Sequence, residues 1–442
     1  MMLHTSRVNS RRRTTRRHVS RPLIAATVVA LAAISLTACG AGSSTSSSPA
    51  KVNSLTVLVE AGGHAELQPI ADLYKKDTGV SVNFVELPYN GLYNRVNSEL
   101  STGSVSFDVA ALDAVWLPAF AAGLDNLNSF YTSAVKADNF PAVVQEAKVG
   151  NNFVGVPAFA NSEILYYRTD LFDNAANQAA FQAKYGYALK PPTTWQQYAD
   201  VAAFFTKDGF YGAPDPGAEE TQFLAILSQA GEKNMVLNAA GTASTLGDAD
   251  SLKALNYYTS LAQYGPSGAA AVDWNAAQNL YNQGKSAMML FWAHAYRQIP
   301  TNSPVYGKTG VAPMIGGPAG IAGVPGPYYL SIPKDGAHQA ASLAFVKFAY
   351  AHNALSANTS LGLVARISAL KANENKPGYN AYAPMVATLS APATISRPAN
   401  PNWQNIVNNV LIPMIQKAME PGADNAALLK AAATQVDQIV AQ

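Results

Sequence analysis

Between residues 55 and 112 the apolar pattern switches period four times, and that alternation constrains the fold more than any other feature of the chain. Leu55-Thr56-Val57-Leu58-Val59 alternates with the two-residue period of a strand. Ala61-Gly62-Gly63-His64 breaks it, and a helix is predicted from about Pro69 to Thr78-Gly79, with Ile70, Leu73 and Tyr74 on one face. A second strand is expected over 80–85. A second helix follows, carrying Leu92, Val96 and Leu100 and stopped by Gly103. Residues 107–112 are short and nearly all apolar, as a strand covered on both faces must be. A β-α-β-α-β order implies a parallel sheet with helices on both sides, and so an α/β fold.

The pattern restarts further on. Residues 153–157 and 163–168 read as two extended pieces around a polar bend. Thr194-Trp195-Gln196-Gln197 fits a capping box, with Trp195, Tyr198, Val201, Ala202 and Phe205 as the buried stripe of the helix it starts. Two more helices are expected around Leu252, Leu255 and Thr259 and around Trp274, Ala277 and Tyr281. Residues 286–291 read as a buried strand, and 316–327 are too rich in Gly and Pro for regular structure. An extended piece over 330–333, an amphipathic helix over 339–350 and a last helix capped by Asp424 complete the chain. That last helix is expected to bury Leu428, Ala432, Val436 and Ile439. About 400 residues exceed one ordinary core, so two lobes are expected.

Ahead of this body stand seven arginines (Arg7, Arg11, Arg12, Arg13, Arg16, Arg17, Arg21) with no Asp or Glu, then an uncharged run over 23–36 and a sole cysteine, Cys39. Basic, apolar and small-residue regions in that order are the layout of a secretory signal peptide, here residues 1–38. The apolar run is shorter than the ~20 residues a spanning helix needs. Leu36-Thr37-Ala38-Cys39 resembles the lipobox of bacterial lipoproteins, which implies that Cys39 is lipidated and becomes the first residue. Residues 39–54, rich in Gly and Ser, then read as a flexible tether. The whole chain carries 30 basic and 28 acidic residues, and losing the seven arginines leaves 23 against 28. No basic surface remains to suggest a nucleic-acid partner. A charged fraction of 13% beside 21 Tyr, 16 Phe and 5 Trp suits a neutral polar ligand.

Enzyme signals fail on inspection. Tyr306-Gly307-Lys308-Thr309 resembles the end of a P-loop, but the required first glycine is Asn302. After cleavage only His64, His294, His338 and His352 remain, none at metal-ligand spacing, and no Gly-x-Ser-x-Gly elbow occurs. Glu219 and Glu220 are adjacent, so they do not face each other across a glycosidic bond, although one of them can still touch a ligand. No metal or cofactor is expected.

What remains is polar and aromatic residues at strand ends, where open α/β sheets bind ligands. Gly63 and His64 follow the first strand, and Asp113 and Trp116 follow the third. Trp292, His294 and Tyr296 follow the 286–291 strand, and Tyr328 precedes the 330–333 piece. Carboxylates and guanidinium groups pair with hydroxyls while rings cover apolar sugar faces, so the mix suits a carbohydrate. For Asp113 a helix N-cap is the competing structural role.

Several segments resemble the extracellular solute-binding proteins of ABC importers, in the branch that includes maltose- and trehalose-binding proteins. They are 107–116 with Phe120, Gly155-Val156-Pro157 followed by 164–172, Pro192-Thr193-Thr194-Trp195, 284–288 with Trp292, 366–369, and 397–403. The resemblance implies two lobes joined by a hinge with crossings near Phe159, Met314 and Leu361. Lobe one would be 55–159 plus 315–360, and lobe two 160–314 plus 361–442. It further implies that the segments at Arg366 and Arg397 supply ligand-binding residues, with Asp113 and Arg397 holding sugar hydroxyls while Trp292 stacks on a ring. The implied partners are a sugar of di- or oligosaccharide size, the permease of an importer, and the membrane through the Cys39 anchor, with the receptor itself a monomer. An exported glycoside hydrolase, or a receptor for a polyol or glycerol phosphodiester, is the alternative.

Overall fold

The computed structural model describes residues 52–215 and 217–442. The arginine-rich stretch, the apolar run, Cys39 and the 40–49 tether lie outside the described residues. The first sheet begins with β1 (Ser54–Glu60), α1 (His64–Thr78), β2 (Ser81–Leu87), α2 (Tyr89–Thr102) and β3 (Val109–Asp113). β1 pairs in parallel with both β2 and β3, as the period switching predicts. Val109, Ala110, Ala111 and Leu112 are all buried, which explains the unbroken apolar run of a strand covered on both faces.

Two later strands complete this sheet in antiparallel sense. β4 (Val156–Phe159) sits at one edge, and β8 (Tyr328–Ser331) lies between it and β3, giving the order β2-β1-β3-β8-β4. The helix α7 (Gln339–Ala351) packs Phe345 and Phe348 edge-on against Tyr74 of α1.

A second sheet forms from β5 (Glu163–Arg168), β6 (Met288–Trp292) and β7 (Thr309–Ala312), in the order β6-β5-β7. All its pairings are antiparallel, so the β-α alternation of the first lobe does not repeat there. Around it pack α3 (Trp195–Phe205), α4 (Thr221–Ala230), α5 (Ala249–Ser260), α6 (Trp274–Asn282) and α8 (Asn425–Val440). The chain leaves the first sheet between β4 and β5, with three residues between them, and returns between β7 and β8.

Local signals are met with small corrections. Thr194 caps α3 through Gln197 N–H at 3.2 Å, but the Gln197 side chain reaches back to Thr193 N–H rather than to Thr194. α1 starts at His64, five residues before Pro69, because Gly62 (φ +90°) turns the chain directly into it. Pro69 then sits inside the helix and forfeits one hydrogen bond. Asp424 caps α8 through Ala427 N–H at 3.0 Å, yet Leu429 rather than Leu428 is the fully buried leucine. The 316–327 segment contains one two-residue ladder, Gly316–Gly317 with Gly320–Ile321.

Candidate functional site

A cavity of about 910 Å³ opens where the strand ends of the two sheets meet. From the first sheet come Glu60 at the end of β1, Asp113 at the end of β3, Phe159 at the end of β4 and Tyr328 at the start of β8. From the second side come Phe291 and Trp292 of β6, Trp274 at the start of α6, and Glu219 and Glu220 ahead of α4.

Asp113 lines the cavity and also caps a helical turn. Its Oδ1 accepts from Val115 N–H at 3.2 Å, capping the short 3-10 turn Ala114–Trp116. The same oxygen accepts from Arg397 Nη2 at 3.2 Å, and Oδ2 accepts from Tyr89 Oη at 3.0 Å. Arg397, 8% exposed, also gives its Nε and backbone N–H to Glu146 Oε1 at 3.3 and 3.0 Å. Burial works against the guanidinium charge, but Asp113 and Glu146 outweigh it and hold Arg397 above its ordinary range. Burial lifts Glu146 to about 7, opposed by Arg397. Tyr328 donates its hydroxyl to Glu60 and stacks on Phe159 with ring centres 5.0 Å apart. Burial raises the Glu60 carboxyl, and Asp113 adds to the rise.

The opposite side is aromatic and acidic. The Trp274 and Trp292 rings stand 5.7 Å apart at 58°. Gly326 passes so close to Trp292 that an added Cβ would lie 2.5 Å from Cζ3, so only glycine lets the ring keep its place. Burial and the neighbouring Glu220 push Glu219 up to about 7, and burial raises Glu220 too. His294 is held neutral, with its pKa lowered to about 4 by burial, and its Nδ1 lies 2.9 Å from Asn161 Nδ2.

Of the residues nominated from sequence, Gly63, Asp113, Glu219, Trp292, His294, Tyr328 and Arg397 line this cavity. Four do not. Trp116 is 1% exposed and packs in the core against Tyr89 and Tyr93, because the turn capped by Asp113 folds it back under the sheet. His64 is half-exposed and bonds Glu86. Tyr296 lies on the 3-10 turn Ala293–Gln298, off the lining. Arg366 makes an ion pair with Asp138 at 2.7 Å, away from the cavity.

Sequence reasoning missed Glu60, Tyr89, Phe159, Asn161 and Trp274. It also missed the helical stretch from Trp403, whose Gln404, Val407, Asn408 and Ile412 line the cavity. That stretch widens into a π turn at Val407–Leu411, ahead of Pro413. A proline at that position lacks the N–H of a regular turn, so Pro413 was the available signal.

The family model for bacterial extracellular solute-binding proteins matches residues 60–354, and the chain belongs to that family. A probable ABC transporter-binding protein of Deinococcus radiodurans is 29% identical over 276 residues, 58% of this chain and 62% of that protein. The chain spans 56–62% of the length of the first three curated relatives it matches. Among solved structures, maltose-bound MalE3 of T. maritima superposes with a TM-score of 0.72 at 21% identity, covering 87% of this chain and 99% of that one. An ABC transporter solute-binding protein of Agrobacterium radiobacter K84 in complex with ribitol gives 0.71 at 21% identity, covering 88% and 100%. These likenesses establish the fold as two α/β lobes of the periplasmic-binding-protein type.

Proposed function

We propose that this chain is the lipid-anchored receptor of an ABC importer. It captures a sugar of di- or oligosaccharide size in the 910 Å³ cavity and delivers it to a membrane permease. The observation that carries the reading is the pairing, across one cavity, of the Trp274–Trp292 corner with the Asp113–Arg397 pair. Rings cover apolar sugar faces, and charged planar groups accept from and donate to hydroxyls. Each lobe supplies part of the lining, so ligand bridges them and favours a closed form; a permease that prefers the closed form reads occupancy. The receptor acts as a monomer and needs no cofactor, since binding is its whole task.

The proposed lobes are 55–159 plus 315–360 and 160–314 plus 361–442. The switches of sheet between β4 and β5 and between β7 and β8 support the first two crossings. Cys39, outside the described residues, is proposed as the anchor, followed by a short tether that keeps the receptor near its permease. A polyol is the second reading, favoured by the ribitol complex of a protein sharing this fold. A phosphodiester is disfavoured. Among the described residues the sole guanidinium on the lining is already engaged by Asp113 and Glu146.

A thermal-shift screen against mono-, di- and oligosaccharides and polyols tests this directly. Ligand at about 100 times Kd should stabilise by about 2.7 kcal/mol. Steady release of reducing sugar from oligosaccharides, above a boiled control, would instead make the protein a hydrolase.

A further inference from the structure

The charged lining is lopsided. Among the described residues Glu60, Asp113, Glu219 and Glu220 face the cavity with Arg397 as the only Lys or Arg. Two of these carboxylates are served internally: Asp113 by Arg397, Tyr89 and Val115 N–H, and Glu60 by Tyr328. Glu219 and Glu220 are different. Neither takes a hydrogen bond from another side chain. Glu219 has the Trp274 N–H, and Arg397 acts on Glu220 only through space. The start of α4 favours negative charge there but does not neutralise two adjacent carboxylates.

A second observation is independent of the acids. Asn161, 6% exposed and on the same lining, places its Nδ2 beside His294, and its Oδ1 has no protein partner. A buried acceptor without a donor is costly unless a ligand supplies one. The Trp274 and Trp292 rings, tilted at 58°, add π-faces that attract a cation. Among the described residues the cavity lining thus presents carboxyl acceptors and aromatic faces, with no free cation.

We propose that the ligand is a saccharide carrying a protonated amine, its ammonium received by Glu219 and Glu220 beside the Trp274–Trp292 corner. This rests on the sugar-receptor reading and narrows it. A neutral sugar offers these carboxyls only hydroxyl donors, whereas an ammonium brings three donors and a charge opposite to that of their ionised form.

The test is calorimetry on the full-length protein in detergent with matched probes: the glucosamine β-1,4 disaccharide, its N,N'-diacetylated form, and cellobiose. Acetylation removes the charge, and cellobiose replaces nitrogen by a hydroxyl. The amine form should bind about 10- to 100-fold more tightly than either neutral form. Its affinity alone should fall steeply with added salt, a readout that needs no variant. Glu219→Gln combined with Glu220→Gln should shrink the amine preference to about threefold or less, with Glu220→Gln alone intermediate. Equal or tighter binding of cellobiose overturns this inference and leaves the sugar receptor standing. So does a preference that survives the double substitution. If no saccharide of any charge binds, the receptor reading itself falls.

Discussion

At the Arg397 corner of the cavity every charge has a partner. Arg397 ties Asp113 to Glu146, Tyr89 completes Asp113, and the group is held together from residues 284 apart in sequence. At the Glu219–Glu220 corner the charges have no partner of opposite sign in contact. The first corner is a fixed scaffold whose charges are tied to one another within the fold. The second is poised for something that arrives. Polar groups that a protein leaves unpaired beside a cavity are where a ligand's contribution is largest.

The largest expected effect lies at the scaffold corner. Arg397→Met leaves the buried Glu146 and the partly buried Asp113 without their cation and should cost about 3–5 kcal/mol in urea unfolding at neutral pH. A loss under about 1 kcal/mol would mean that the corner is no scaffold.

Next is Glu163, buried on β5 where the chain changes sheet. Its Oε2 accepts from Val324 N–H at 3.1 Å. Burial lifts its pKa to about 7. A carboxyl raised in the folded state binds its proton there more tightly than when unfolded, so stability falls as pH rises from the ordinary carboxyl value through about 7. The decline attributable to this group is on the order of 2–3 kcal/mol. Glu163→Gln should remove that share of the slope between pH 5 and 8. An unchanged slope would show that the carboxyl is solvated.

A smaller change is expected from Tyr89→Phe. It removes one of the donors to Asp113 and should cost about 0.5–1.5 kcal/mol of stability. The smallest belongs to the other corner. Glu220→Gln should leave unfolding stability within about 0.5 kcal/mol or raise it, because no side chain loses a hydrogen bond. A cost comparable to that of Arg397→Met would erase the contrast between the corners.

The fold was legible where physics is local. Period switching located β1, β2, β3 and the helices between them, and Thr194 and Asp424 marked helix starts that the structure keeps. Strand sense in the second lobe was not legible. A buried antiparallel strand such as Met288–Trp292 reads as the same apolar run as a buried parallel one. The strand-end rule carried Gly63, Asp113, Trp292 and His294 to the cavity. It failed for Trp116, since a residue three past a strand end points wherever the cap turns it, and here the cap turns it into the core. Glu60 ends β1 and lay within reach of the same rule, whereas Trp274, at the start of α6, reaches the cavity through the packing of separate segments. No periodicity in one segment encodes that.

The proposed site places a polyhydroxylated ligand between the Trp274–Trp292 corner and Asp113. Calorimetry with the saccharide or polyol giving the largest thermal shift, on the parent protein and on Trp292→Ala and Asp113→Ala, tests it most directly. Each substitution is predicted to weaken binding by at least about tenfold, the equivalent of one charge-assisted hydrogen bond or one lost ring face. Unchanged affinity in both variants would place the ligand elsewhere and contradict the account.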